Sequence, residues 1–205
     1  MMKPMETTAT ASQENLRPRL EAQATGPEGS RRKKNLFFST LLSLLIIGID
    51  QLVKARIVDL IPENRIGARL MNDFLWIVHT KNLGIAFSIG DEVSRLLRIL
   101  LFIVLPAIFL AGAVLYAYRS KSLSSLQRLC IAFIVGGGVG NLIDRIFRPG
   151  GVVDYISFSL YGFLGMDRFP TFNLADLSIT IGACLLLLSG FLAGGREEPG
   201  HDQGN

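Results

Sequence analysis

Four aspartates stand where an apolar chain has least use for them: Asp50, Asp144, Asp154 and Asp176. Asp50 and Asp144 end uncharged, apolar stretches of near membrane-crossing length, Asp176 opens another, and Asp154 lies between the last two. An ionisable group at the edge of such a stretch is costly and calls for a reason. Two carboxylates held close cannot both ionise easily, so one keeps a proton and serves as acid while the other activates water. That pairing is equipment for chemistry with an activated water.

Two of the acids share a local pattern, Asn141-x-x-Asp144 and Asn173-x-x-Asp176. Three residues apart on a helix, each Asn falls on the same side as its Asp. Asn173 also suits an ordinary structural role, as N-cap of a helix with Asp176 in its first turn. The convergence of other acids weighs toward a shared chemical role. Asp144 is followed directly by Arg145, which suits a structural ion pair. Asp154 is flanked by Val152, Val153, Tyr155 and Ile156, which favour the neutral form. Local flanks, and flanks alone, therefore favour Asp154 over Asp144 as the partner of Asp176.

The elements that must position these groups are four membrane spans, expected over about 36–53, 99–118, 129–143 and 177–195. Pro106 lies within the second, where a kink is expected. The third carries Gly136, Gly137, Gly138 and Gly140, and small residues at 136 and 140 would let another helix approach closely. In an alternating bundle the ends bearing Asp50, Asp144 and Asp176 share one face, and the connection with Asp154 joins them there. Residues 74–80, rich in β-branched and aromatic side chains, read as a strand, with a turn at Asn82-Leu83-Gly84. Trp76 reads equally as an interfacial anchor or as part of a sheet's apolar face. The fold class expected is an all-α membrane protein, four transmembrane helices with a small extracytoplasmic β-rich segment at 55–95. Residues 1–34 are expected to be a disordered cytoplasmic tail, 35–195 the membrane domain, and 196–205 a cytoplasmic C-terminal tail.

Composition narrows the classes of function. A length of 205 residues suits about one domain, and a mean hydropathy of +0.39 is too high for an ordinary soluble one. The net charge of +4 resides mainly in the first 34 residues and ends in Arg31-Arg32-Lys33-Lys34, the cytoplasmic flank of a span rather than a nucleic-acid arm. That flank and the short basic connection at 119–128 place both termini in the cytoplasm. The charged segment is too long, and lacks the small-residue site, for a cleavable secretory signal, so the first span reads as a retained anchor. Cys130 and Cys184 make no disulfide framework, and His79 and His201 are isolated, so no metal and no other cofactor are expected. A Ser/Lys peptidase from Ser88 and Lys54 has no feature bringing the two together. A proton-coupled transporter would place its acids near mid-bilayer rather than at one rim.

Five motifs occur in order: Asp50-Gln51-Leu52-Val53-Lys54, Asn82-Leu83-Gly84-Ile85-Ala86-Phe87-Ser88, Gly140-Asn141-Leu142-Ile143-Asp144-Arg145, Val152-Val153-Asp154-Tyr155 and Phe172-Asn173-Leu174-Ala175-Asp176. The series resembles that of the lipoprotein signal peptidase (signal peptidase II) family, over residues from about 36 to 193. The resemblance implies an aspartic endopeptidase of the bacterial inner membrane that cleaves prolipoproteins just before a cysteine carrying a diacylglyceryl group. It maps the catalytic pair onto Asp154 and Asp176, and substrate-binding or supporting roles onto Asp50, Lys54, Asn82, Asn141, Asp144, Arg145 and Asn173. It implies a site at the extracytoplasmic face, the small sheet cradling the substrate, and as partners the lipid-modified prolipoprotein and membrane lipid. The expected state is a monomer, with no nucleic acid bound. Ile85 stands where the family often has Ala and Tyr155 where Phe is frequent, and neither removes a chemical group.

Overall fold

The computed structural model describes residues 27–84 and 95–194. The residues before 27, the 85–94 part of the Asn82–Ser88 motif and loop, and the C-terminal tail at 196–205 lie outside them. Among the described residues, four helices are long and apolar enough to cross a membrane: Gly29–Leu60, Arg95–Arg119, Ser125–Phe147 and Leu174–Phe191. The first three each contain the stretch expected from the sequence and run beyond it at both ends, and the fourth begins three residues before the expected 177–195 and ends short of it.

Helix α1 (Pro27–Leu60) begins inside the segment expected to be tail and ends inside the segment expected to be β-rich. Arg31, Arg32, Lys33 and Lys34 are good helix formers. A helix already nucleated by an apolar span extends through such residues at little cost. The second span is not one regular helix. α2 (Arg95–Ile99) gives way to a π-helical turn, Leu100–Val104, and then to α3 (Leu105–Arg119). Pro106 has no N–H to donate to a carbonyl four residues back. The widened turn directly before it is where the chain absorbs that loss.

Helix α4 (Ser125–Phe147) opens with a capping box, in which the Ser124 side chain accepts from the Gln127 N–H and the Gln127 side chain accepts from the Ser124 N–H. Of its membrane-crossing stretch 44% is buried inside the protein, against 17% or less in the other three spans. Its glycines explain how it packs on several sides at once. A Cβ on Gly136 would press on Ser43 and Ile46 of α1, one on Gly138 on Leu110 of α3, and one on Gly140 on Asp50. A Cβ on Gly137 would overlap the carbonyl of Ala175 in the last helix, α5 (Leu174–Gly194). The expectation for 136 and 140 holds, and 137 and 138 prove to be contact points as well.

Between α1 and α2 lie β1 (Arg65–Leu70) and β2 (Leu75–Asn82), and between α4 and α5 lies β3 (Val152–Phe158). They form an antiparallel sheet in the order β1-β2-β3, with Asn82 opposite Val152 and Leu75 opposite Phe158. The expected strand at 74–80 corresponds to β2, and the turn after it is made by Gly84 at φ +85, its N–H donating to the Asn82 side-chain oxygen. Ile57 and Ile61 pack with Val153 and Tyr155 to seat the sheet on the end of α1. Trp76 does not stand free: Arg168 lies 3.7 Å and Arg69 4.8 Å from its ring centre, and its indole N–H donates to Asp73.

Candidate active site

Asp50, Lys54, Asp144, Asp154 and Asn173 are each no more than 1% exposed, an unusual concentration of charge and polarity for a protein interior. Such groups persist only when paired and hydrogen-bonded. Lys54 lies one turn beyond Asp50 on α1, and its three ammonium protons have three acceptors. These are Asp50 Oδ2 at 2.8 Å, Asp144 Oδ2 at 2.8 Å and Asn141 Oδ1 at 2.9 Å. Arg148 adds a second cation, 2.9 Å from Asp144 Oδ1. Two carboxylates and two cations thus balance, and Gln51 fills the remaining space, donating to Asp144 and to the Gly140 carbonyl while accepting from Arg148.

The two buried acids of this cluster also reach forward. Asp50 accepts from the N–H of Ala175, and Asp144 from the N–H of Val153. Each therefore grips the backbone of the residue immediately before one of the other two aspartates. Asp144 does not pair with Arg145 as the sequence suggested. An aspartate meets the residue one helical turn onward rather than its chain neighbour, which points the other way, and the partner is accordingly Arg148. Arg145 instead carries its guanidinium over Phe102, 5.8 Å from the ring centre, close enough to Asp176, Asp154 and Asp144 for its charge to act on all three.

Asp154, on β3, is held by two carboxamides. Asn82 Nδ2 donates to Oδ2 at 3.1 Å and Asn173 Nδ2 to Oδ1 at 2.7 Å. Asp176, half-buried on the first turn of α5, accepts from Asn141 Nδ2 at 2.7 Å and from the N–H of Asn173 at 3.1 Å. The N–H of Asp176 donates back to Asn173 Oδ1 at 2.9 Å. Asn173 is therefore a reciprocal N-cap, as its position allows, and in the same geometry its amide bridges to Asp154 and to Asn141 Oδ1. The capping reading of that residue is realised, and the same side chain also touches Asp154. The other first-turn amides of α5 are satisfied too, Leu174 by the Tyr155 hydroxyl and Ala175 by Asp50.

Burial pushes the Asp154 carboxyl up to about 6, opposed by the Asn82 hydrogen bond and assisted by the charge of Asp176. Burial likewise pushes the Tyr155 phenol up to about 12, so it is neutral at physiological pH. Asp154 and Asp176 are thus linked through two asparagines, one deeply buried and the other half open, with a charge-balanced cluster behind them. With a proton on one carboxyl and none on the other, such a pair could offer a carbonyl group an acid and a water-activating base.

Of the residues expected at the site, Asp50, Lys54, Asn82, Asn141, Asp144, Asp154, Asn173 and Asp176 form one hydrogen-bonded network, while Arg145 adjoins it through charge. Gln51, Arg148 and Tyr155 also belong to the network and went unnamed as site residues. The i,i+4 spacing of Asp144 and Arg148 was the available signal for one of them. Among the described residues no group of three or more His, Cys, Asp or Glu side chains is arranged to hold a metal ion.

A family model described as signal peptidase (SPase) II matches residues 42–192. A lipoprotein signal peptidase of Treponema pallidum is 37% identical over 160 residues, covering 78% of this chain and 86% of that protein. One of Borrelia garinii is also 37% identical over 160 residues, 78% of this chain and 93% of its own length. Among solved structures, a bacterial membrane enzyme determined by the in meso method at 2.3 Å aligns with TM-score 0.65 and 26% identity, over 81% of this chain and 94% of that one. A second such structure, at 1.9 Å, aligns with TM-score 0.63 and 28% identity, over 74% and 91%.

Proposed function

The chain belongs to the signal peptidase II family, multi-pass membrane proteases that remove signal peptides from prolipoproteins, and on that premise we propose that Asp154 and Asp176 are its catalytic pair. The observation that carries this reading is the shared scaffold: Asn173 bonds to both carboxylates, and each follows a residue whose N–H is gripped by a buried acid.

Asp154, whose burial favours the neutral form, starts as the acid, and Asp176, more open to solvent, as the base. Asp176 takes a proton from water, the water oxygen bonds to the scissile carbonyl carbon, and the proton of Asp154 passes to the carbonyl oxygen. The tetrahedral diol then returns one hydroxyl proton to Asp154. Asp176 gives its proton to the departing amine, and the C–N bond breaks. Both side chains end as they began. An apolar substrate that displaces water from the site pushes Asp154 further toward its protonated form, so binding itself prepares the acid. Asn82, Asn141 and Asn173 orient the carboxylates, Asp50, Lys54 and Asp144 support them from behind, and Arg145 contributes charge at the rim.

The proposal extends to the setting. The substrate is a diacylglyceryl-modified prolipoprotein cut before its lipidated cysteine, and the enzyme is a monomer in the bacterial inner membrane surrounded by lipid. Its site opens at the extracytoplasmic face with both termini in the cytoplasm. The four spans among the described residues, an even number, put the termini on one side, and the basic run at Arg31–Lys34 favours the cytoplasm. Residues 35–195 act as the peptidase domain, with the sheet supporting the substrate.

The test is cleavage of a purified diacylglyceryl-modified prolipoprotein, followed by gel shift, with wild type, Asp154→Asn and Asp176→Asn. Wild type should cleave and each variant should lose at least about 10²–10⁴-fold. Cleavage by folded variants at near wild-type rate would overturn the assignment of the pair.

A further inference from the structure

Phe102, in the π-helical turn Leu100–Val104, touches two separate parts of the candidate site. Its ring lies against the backbone of Gly84, where a Cβ would fall 2.8 Å from Cδ1 and 2.9 Å from Cε1. The N–H of Gly84 donates to Asn82 Oδ1 at 2.8 Å, and Asn82 Nδ2 donates to Asp154 at 3.1 Å. The same ring carries the Arg145 guanidinium, 5.8 Å from its centre. Arg145 acts by charge on Asp154 and Asp176, yet its Nε is buried with no hydrogen-bond partner among the described residues. The ring is what this side chain rests on.

We infer that Phe102 is a positioning residue for the cleavage reaction, holding Arg145 beside the carboxylate pair and the Asn82 turn against Asp154, and that the π-helical turn aims it there. The inference deepens the reading of Asp154 and Asp176 as the catalytic pair, and rests on it.

The aim follows from the sequence. Pro106 stands four residues beyond Phe102, so the carbonyl that its ring displaces, and to which it has no N–H to donate, is that of Phe102. The chain responds by pairing the Leu105 N–H with the Leu100 carbonyl, five residues back, which gives the turn one extra residue. One residue is about 100° of an α-helix. Were the turn regular, the chain before Pro106 would rotate by as much as about that angle and carry the ring off Gly84 and Arg145. The contacts also ask for an aromatic ring. A flat face fits against a residue with no Cβ, and a guanidinium is drawn to the ring's π electrons. Leucine would fill similar space without offering that face.

The test uses the full chain in detergent with a diacylglyceryl-modified prolipoprotein. Phe102→Leu should lower kcat about 10–100-fold with KM little changed, the mark of misplaced groups rather than lost binding. The alkaline limb of kcat/KM should move upward, because Asp154 loses the steady Asn82 bond and a nearby positive charge, while Asp176, Lys54 and Asn173, which also face it, are untouched. Phe102→Tyr keeps the ring and should match wild type. Pro106→Ala restores the missing N–H and should reproduce the leucine result with the ring still present. Arginine ¹⁵N–¹H spectra read the contact without turnover. The Arg145 Nε–H signal, assigned by its loss in Arg145→Lys, should move downfield in Phe102→Leu and Pro106→Ala as ring-current shielding is lost.

Wild-type kcat and limb in Phe102→Leu would overturn the inference. So would a Phe102→Tyr as poor as the leucine variant, or a loss confined to KM, which would make the ring a wall of the substrate cleft. A Pro106→Ala indistinguishable from wild type would overturn the aiming role of the turn. An active Asp154→Asn would remove the proposed pair and leave the Arg145 signal shift standing, whereas an unmoved signal beside an inactive Asp154→Asn would sink this inference alone.

Discussion

Replacing Asp154 by Asn should abolish cleavage and, at neutral pH, make the protein more stable. The carboxyl is 1% exposed, and burial raises its pKa from 3.8 to about 6. A raised carboxylate pKa means that the folded state resists ionisation. Wild type is therefore relieved of any penalty below pH 3.8, loses stability as pH rises from there, and carries the full loss above about 6. At about 1.36 kcal/mol per pH unit that interval amounts to about 3 kcal/mol. Asparagine never ionises and escapes it. It has only one oxygen, though, so of the two amide donors, Asn173 at 2.7 Å and Asn82 at 3.1 Å, one loses its acceptor. That constant cost is about 1 kcal/mol. The variant should be less stable than wild type by about 1 kcal/mol at pH 4 and more stable by about 2 kcal/mol at pH 7. For a chain of this size each kcal/mol moves the midpoint by about 2–4 °C. Thermal unfolding in detergent across pH 4–8 should show the two Tm curves crossing, with the variant about 4–8 °C higher at pH 7. Parallel curves, or a wild type that gains on the variant as pH rises, would refute the idea that Asp154 is held against its own charge.

Two further outcomes test the scaffold. Lys54→Met should cost about 3–5 kcal/mol, because it strands buried Asp50 without a counter-charge. Lys54→Met/Asp50→Asn should recover much of that loss in the same detergent melt, whereas equal losses in both would mean the ion cluster is not what holds the helices. Asn82→Ala removes a donor that lowers the Asp154 pKa, so the acid keeps its proton to higher pH. The alkaline limb of kcat/KM should move upward while kcat falls, and an unmoved limb would place the rate-setting proton elsewhere.

Span existence and the gathering of the four aspartates were legible because both are violations of a simple background: long apolar runs in a charged chain, and acids in apolar runs. What escaped was everything set by three-dimensional neighbours. Arg145 adjoins Asp144 in the chain and so drew the ion pair in the sequence reading, while Arg148, four residues on, makes it. The last two turns of α1 looked like loop because Arg56 and Asp59 interrupt the apolar run, yet Ile57 and Ile61 bury themselves against β3. The π-helical turn before Pro106 could be anticipated as some distortion but not as that one. Trp76 was ambiguous because the arginine that covers it, Arg168, lies 92 positions away in the chain.

The grip of Asp50 and Asp144 on the residues before the two proposed catalytic acids has a pharmacological side. The spacing of the carboxylates is fixed from the rear, by residues no inhibitor need touch and all tied to one lysine. A ligand that bridges the two carboxylates would meet groups already held in place, and would lose little affinity to their reorganisation. Escape from such a ligand by respacing the acids would break the buried ion cluster.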